Sequence, residues 1–76
     1  MSEHLAKRSF CLAGHRTSIA LEPEFWNALE AIARARGQNL LTLIEAIDAA
    51  RGAPGASLAS ALRVFALGEA MRWAGR

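Results

Sequence analysis

The chain has 76 residues and a mass of 8.2 kDa, 53% apolar and 21% charged, which suits one small domain and excludes both a disordered tail and a purely solvating segment. A single cysteine, Cys11, excludes an intrachain disulfide and a cysteine-rich zinc site, and no apolar run or leader pattern marks a membrane span or a secretory signal, so the cytoplasm is the expected compartment. The formal charge of +2 is confined to the start of the chain: His4 to Leu21 holds Lys7, Arg8 and Arg16 without an acid, while six acids balance six bases from Glu22 onward, and such a segment is expected to face an anion, nucleic acid being the commonest large one.

Along the chain, Gly14, Pro23, Gly37, the run Gly52-Ala53-Pro54-Gly55 and Gly75 are the punctuation. The run from Arg8 to Ala13 alternates, with Phe10 and Leu12 on one side, and either extends the next strand or forms one of its own. Between Gly14 and Pro23, Ile19 and Leu21 fall on one side of an extended segment and Arg16, Ser18 and Ala20 on the other, a short strand with one apolar face. From Pro23 the period becomes helical, with Phe25, Trp26, Leu29, Ile32, Ala33 and Arg36 in one stripe. Pro23 suits a first helical turn, Glu22 and Glu24 suit its dipole, and Gly37 provides a left-handed stop. A second helix starts behind the N-cap Asn39 and carries Leu40, Leu43, Ile44 and Ile47 to about Arg51. A third starts behind Ser57 and carries Leu58, Leu62, Phe65 and Met71 on one face.

A lone strand needs a partner for its backbone groups. One source is the run Arg8 to Ala13 folded back as a hairpin; the other is the same strand of a second chain. Apart from 17 alanines only 23 apolar residues are available for a core, and chains below about 70–80 residues rarely gain enough stability from one core alone. This favours a homodimer with the strands paired across a twofold axis.

The strings Lys-Arg-Ser-Phe at 7–10, Ala-Gly-His-Arg-Thr-Ser at 13–18, Leu-Glu-Pro-Glu-Phe-Trp at 21–26, Ala-Arg-Gly at 35–37, Ile-Asp-Ala-Ala-Arg at 47–51 and Ser-Ala-Leu-Arg-Val-Phe at 60–65 resemble a small bacterial subgroup of the ribbon-helix-helix DNA-binding family, over about residues 7–66. The resemblance implies a mainly α fold with one short strand per chain, an intertwined homodimer with an intermolecular antiparallel ribbon, and here an additional C-terminal helix. The chain then divides into 1–15, a basic N-terminal arm or an extension of the strand; 16–51, the ribbon-helix-helix core; and 52–76, a loop and the C-terminal helix. It also implies that the ribbon enters the major groove of double-stranded DNA and that outward strand residues, here Arg16, Ser18 and Ala20, read base edges. Arg16 suits the O6 and N7 of guanine and Ser18 suits several bases, whereas Ala20 departs from the family's polar choice and offers only a methyl contact. Phosphate contacts are expected from the start of the second helix, at Asn39, Leu40 and Leu41, and from Lys7 and Arg8. The dimer core would be Ile19, Leu21, Phe25, Trp26, Leu29, Ile32, Leu43, Ile44 and Ile47. The expected function is that of a sequence-specific DNA-binding transcriptional regulator.

Plainer readings accompany several of these residues. Arg16 alone would suit a solvated turn, and Lys7 and Arg8 a solvated terminus. His4 and His15 share no metal-ligand spacing with Cys11, which reads as a small packed residue. Trp73 either covers the third helix or forms an exposed patch, and that helix either completes the core or binds a partner. The alternative function is therefore an antitoxin-like or other interaction module that binds a protein through residues 57–73. No paired carboxylates, phosphate-binding glycine loop or nucleophile with a base is present, so neither enzyme activity nor a cofactor is expected.

Overall fold

The computed structural model describes residues 5–51 and 57–75; the Gly52-Ala53-Pro54-Gly55 loop and His4 lie outside them. Two strands, β1 (Ala6–Leu12) and β2 (His15–Leu21), precede three helices, α1 (Pro23–Ala35), α2 (Leu40–Arg51) and α3 (Leu58–Ala74). The chain thus has two strands where one was expected, and Lys7 and Arg8 lie within β1 and not on an arm before the ribbon.

β1 and β2 pair antiparallel as a hairpin, from Leu12 opposite His15 to Ala6 opposite Leu21. The two-residue loop Ala13-Gly14 has φ of +50° and +82°, the positive values that a tight hairpin turn needs to match the twist of its strands. The run from Arg8 to Ala13 thus pairs within the chain as part of β1, along one edge of β2, while the other edge of β2 has no strand partner among the described residues.

Helix ends follow local chemistry. Gly37, at φ +70°, closes α1: its N–H donates to the Arg34 carbonyl at 3.0 Å and that of Gln38 to the Ala33 carbonyl at 2.9 Å, satisfying carbonyls the helix leaves open. The Asn39 side chain accepts from the Thr42 N–H at 2.8 Å, and Ser57 accepts from the Ser60 N–H at 3.0 Å. Both are N-caps that satisfy otherwise unpaired donors.

The three helices pack on one another, and β2 lies against α1 and α3. Trp26, Leu21, Leu29, Leu43, Ile44 and Leu62 are fully buried at the centre. The residues expected in a dimer core are therefore enclosed by their own chain: Ile19, Leu21, Trp26, Leu29, Leu43 and Ile44 are buried, with Phe25, Ile32 and Ile47 half-buried around them. Leu58, Leu62 and Ala66 of α3 complete this core, which settles one role of the third helix. Met71, expected on the same face, is 64% exposed, because at 100° per residue it lies nearly opposite Leu62 and Ala66. Val64 and Leu67 share its outward stripe at 66% and 58% exposure. Trp73 is also exposed and borders a groove with Ala28, Ala31 and Ile32 of α1.

Three arginines tie these elements together, each pairing with a carboxylate and lying over a ring. Arg8 of β1 reaches Glu30 of α1 at 2.6 Å and lies 4.8 Å from the Trp26 ring centre. Arg36 reaches Glu69 of α3 at 2.9 Å and lies over Phe65. Arg63 of α3 reaches Glu22 at 3.1 Å and lies over Phe25. The three arginines are each about a third or more exposed, although Glu69 is largely enclosed at 11%, so each ion pair contributes no more than about 1 kcal/mol; the stacked stems add packing.

Candidate nucleic-acid interface

Residues opposite each other in an antiparallel pair point to the same side of the sheet. The register therefore sorts the hairpin into two faces. Ala6, Arg8, Phe10 and Leu12 share the helix-facing side with Thr17, Ile19 and Leu21. There the Trp26 indole N–H donates to the Ala6 carbonyl at 2.8 Å, and the Phe10 and Trp26 rings lie 5.9 Å apart. The outer face consists of three rows: Lys7 with Ala20, Ser9 with Ser18, and Cys11 with Arg16.

All six of these outer residues are exposed except Ala20, which is half-buried, and none is acidic. Ser9 Oγ and Ser18 Oγ lie 3.1 Å apart and join the strands across the middle row. Lys7 and Arg16 make no ion pair among the described residues, so both cations are free to meet an external anion. Rows on one face of a strand are about 7 Å apart, the rise of two base pairs. The face thus has hydrogen-bonding groups at a spacing compatible with duplex DNA.

The structure gathers Arg16, Ser18 and Ala20 on this face together with Lys7. It separates Arg8, which lies on the opposite side and is held by Glu30. The start of α2 is a distinct region. The Asn39 side chain is occupied as a cap, while the N–H groups of Leu40 and Leu41 have no acceptor among the described residues, as expected for a first helical turn. Arg34, Gln38 and Leu40 border a depression of about 300 Å³ there, together with Ala33 and the acidic Glu30, whose carboxylate is paired with Arg8, and Gln38 Oε1 is buried without a hydrogen-bond partner.

Sequence reasoning missed Ser9 and Cys11 as outer-face residues. Cys11 is exposed and not packed, since Phe10 and Leu12 on either side take the inward positions. The alternation of Lys7, Ser9 and Cys11 with Phe10 and Leu12 was the available signal. Arg34 was missed too, because its place beside the α2 N-terminus depends on the turn at Gly37.

Among the described residues, no group of three His, Cys, Asp or Glu side chains could hold a metal ion, and no helix is long and apolar enough to cross a membrane. Comparison with curated proteins and with solved structures gave no match. A family model described as a ribbon-helix-helix domain matches residues 5–70, spanning the whole hairpin, α1, α2 and most of α3. With a strand leading into two capped helices and a match over most of its length, the chain belongs to the ribbon-helix-helix domain family, whose members are generally DNA-binding transcription regulators.

Proposed function

We propose that this protein is a sequence-specific DNA-binding transcriptional regulator that works as a homodimer and presents the outer face of its β-hairpin to the DNA major groove. The observation that supports this most is the acid-free outer face, where Lys7, Ser9, Arg16 and Ser18 project away from the helices. A two-stranded ribbon is one of the elements a major groove admits, and Arg16 matches the acceptor pair of guanine. The Leu40 and Leu41 amides, with Arg34 nearby, suit the DNA backbone, fixing orientation without reading sequence.

Three cations per chain, Lys7, Arg8 and Arg16, would give a dimer a log–log salt slope near −5; with Arg8 held by Glu30, Lys7 and Arg16 remain, and on mixed-sequence duplex, where Arg16 has no selected guanine to read, they give about four phosphate contacts and a slope near −3.5 from the hairpin face alone. Titration against salt tests this. The expected result is that slope, with affinity lowered about tenfold by Arg16→Ala, the size of one good base or phosphate contact. A slope near zero, or no binding at low salt, would overturn the reading.

A second reading, a protein-interaction module acting through residues 57–73, is favoured by the outward stripe of Val64, Leu67 and Met71. Leu67→Glu separates the two, since it leaves the hairpin untouched. Loss of protein association with unchanged DNA affinity would assign the stripe to a protein partner.

A further inference from the structure

We infer that β2 pairs along its open edge with β2 of a second copy about a dyad at Ser18, giving a four-stranded sheet in which Ala20 makes room for the Arg16 of that copy. This rests on the DNA-binding reading above and deepens it, since Ala20 has no polar group with which to read a base. Residues facing one another in an antiparallel pair alternate between exchanging both backbone bonds and exchanging none. A two-residue turn starts the series with a bonded pair, here Leu12 and His15. Thr17, Ile19 and Leu21 therefore bond to β1, and the N–H and C=O groups of Arg16, Ser18 and Ala20 point to the other edge. No strand lies there, and none of these three backbones bonds elsewhere, among the described residues; such an edge is a template for another chain. A dyad at Ser18 sets Arg16 opposite Ala20 of the second copy and Ser18 opposite its counterpart, which pairs every one of these groups. A dyad at Thr17 leaves Ala20 facing Gly14 in the turn. A dyad at Ile19 sets Arg16 against Glu22, whose carbonyl already accepts from the Phe25 and Trp26 N–H groups. A dyad at Arg16 opposes two like charges, and one at Ala20 runs Arg16 into α1.

The composition of the rows supports the same register. With the hairpin pairing Cys11 to Arg16 and Lys7 to Ala20, each end row of the outer face runs from Cys11 and Arg16 of one copy into Ala20 and Lys7 of the other, small and long side chains in turn, and the middle row is serine throughout. Arg16 is thus flanked on both sides by small side chains and its guanidinium stands clear of the sheet, while Ala20 separates it from the like charge of Lys7. A longer side chain at position 20 would lie against that guanidinium and turn it from the acceptor pair of guanine. Ala20 is therefore a positioning residue. Within one chain Arg16 and Ala20 lie about 13 Å apart along β2, too far to touch. Four strands about 4.8 Å apart span about 14 Å, against a major groove about 12 Å wide. The two β2 strands accordingly occupy the groove, and each β1 lies at its edge, where Ser9 and Cys11 are small enough to admit the phosphate ridge.

Cysteine pairs test the register, in a Cys11→Ser background equilibrated in a glutathione redox buffer without DNA, with thermal melting as a check on folding. Bonded pairs in an antiparallel ladder have Cα atoms about 5.5 Å apart, within reach of a disulfide. Ser18→Cys is expected to cross-link with itself, and Arg16→Cys with Ala20→Cys when the two are mixed, while neither of the latter cross-links alone. Any other pattern overturns the register, including no cross-link at all or one between Ser18→Cys and either of the others in its place. The role of Ala20 is tested on a duplex selected from a random pool by the wild type, and on its single-base variants. Arg16→Ala and Ala20→Leu are each expected to remove about a tenfold preference at the same guanine, the double variant to lose no more than either alone, and Ala20→Ser to retain the preference. Sites that do not meet would give additive losses of about a hundredfold. Additivity, or a preference kept in Ala20→Leu, overturns the role given to Ala20. If the wild type enriches no duplex, the DNA-binding reading falls and the role of Ala20 with it, while the cross-linking pattern still decides the pairing.

Discussion

Ala13 sits in the hairpin turn at φ +50°, a conformation that costs an L-residue with a Cβ roughly 1–2 kcal/mol and that asparagine adopts more readily. Ala13→Asn is therefore expected to raise stability by about 0.5–1 kcal/mol, with the β-hairpin retained. Urea unfolding of the two proteins checks this, and a lowered midpoint would contradict the turn described here. The same residue explains why the hairpin was hard to read. Asparagine before Gly14 would have announced a two-residue turn; alanine gives no such signal, and a second chain could satisfy the same strand edge. Arg8 misleads in another way. A cation at an inward position breaks the expected alternation, and only the approach of Glu30 and Trp26 to its stem shows why it is tolerated.

At the level of elements, α1 and α2 were legible because their limits depend on bonds within a few residues: the Gly37 closure and the Asn39 cap. The orientation of α3 was not, because it carries apolar side chains on both sides. Leu58, Leu62 and Ala66 face inward while Val64, Leu67 and Met71 face out, so no periodicity distinguishes the two faces. The elements that α3 packs against, α1, α2 and β2, make the choice. Leu62→Ala should accordingly cost about 2–5 kcal/mol by leaving a cavity, whereas Met71→Ala should change stability by no more than about 0.5 kcal/mol. Equal effects in chemical denaturation would mean that the outward stripe is covered. The candidate DNA face lies between these cases. Arg16, Ser18 and Ala20 were placed on one side by alternation alone, but Lys7, Ser9 and Cys11 join them only through the register, which depends on where the turn falls.

For the molecule as a whole, the thin core that favoured an obligate dimer is supplemented from within. The hairpin adds Leu12 and the third helix adds Leu58, Leu62 and Ala66, enclosing Trp26 and Leu29 in one chain. Folding that requires a second copy makes the melting temperature depend on protein concentration. Here the midpoint is expected to move by less than about 2 °C over a hundredfold dilution, since a shift of several degrees is what a change of roughly 1 kcal/mol produces in a domain of this size. A steep dependence in differential scanning calorimetry would show that association and folding are one step.

Cys11 is the chain's sole thiol, and it lies exposed on the outer face opposite Arg16. The wild-type protein therefore carries a chemical footprinting probe at the surface proposed to enter the groove, without any engineered substitution. Alkylation by a small uncharged thiol reagent, followed by mass spectrometry, should slow severalfold when saturating duplex DNA is added, and unchanged reactivity would place the DNA elsewhere. Because reactivity is read at one atom, the same assay would order a series of DNA sequences by how closely they hold the ribbon.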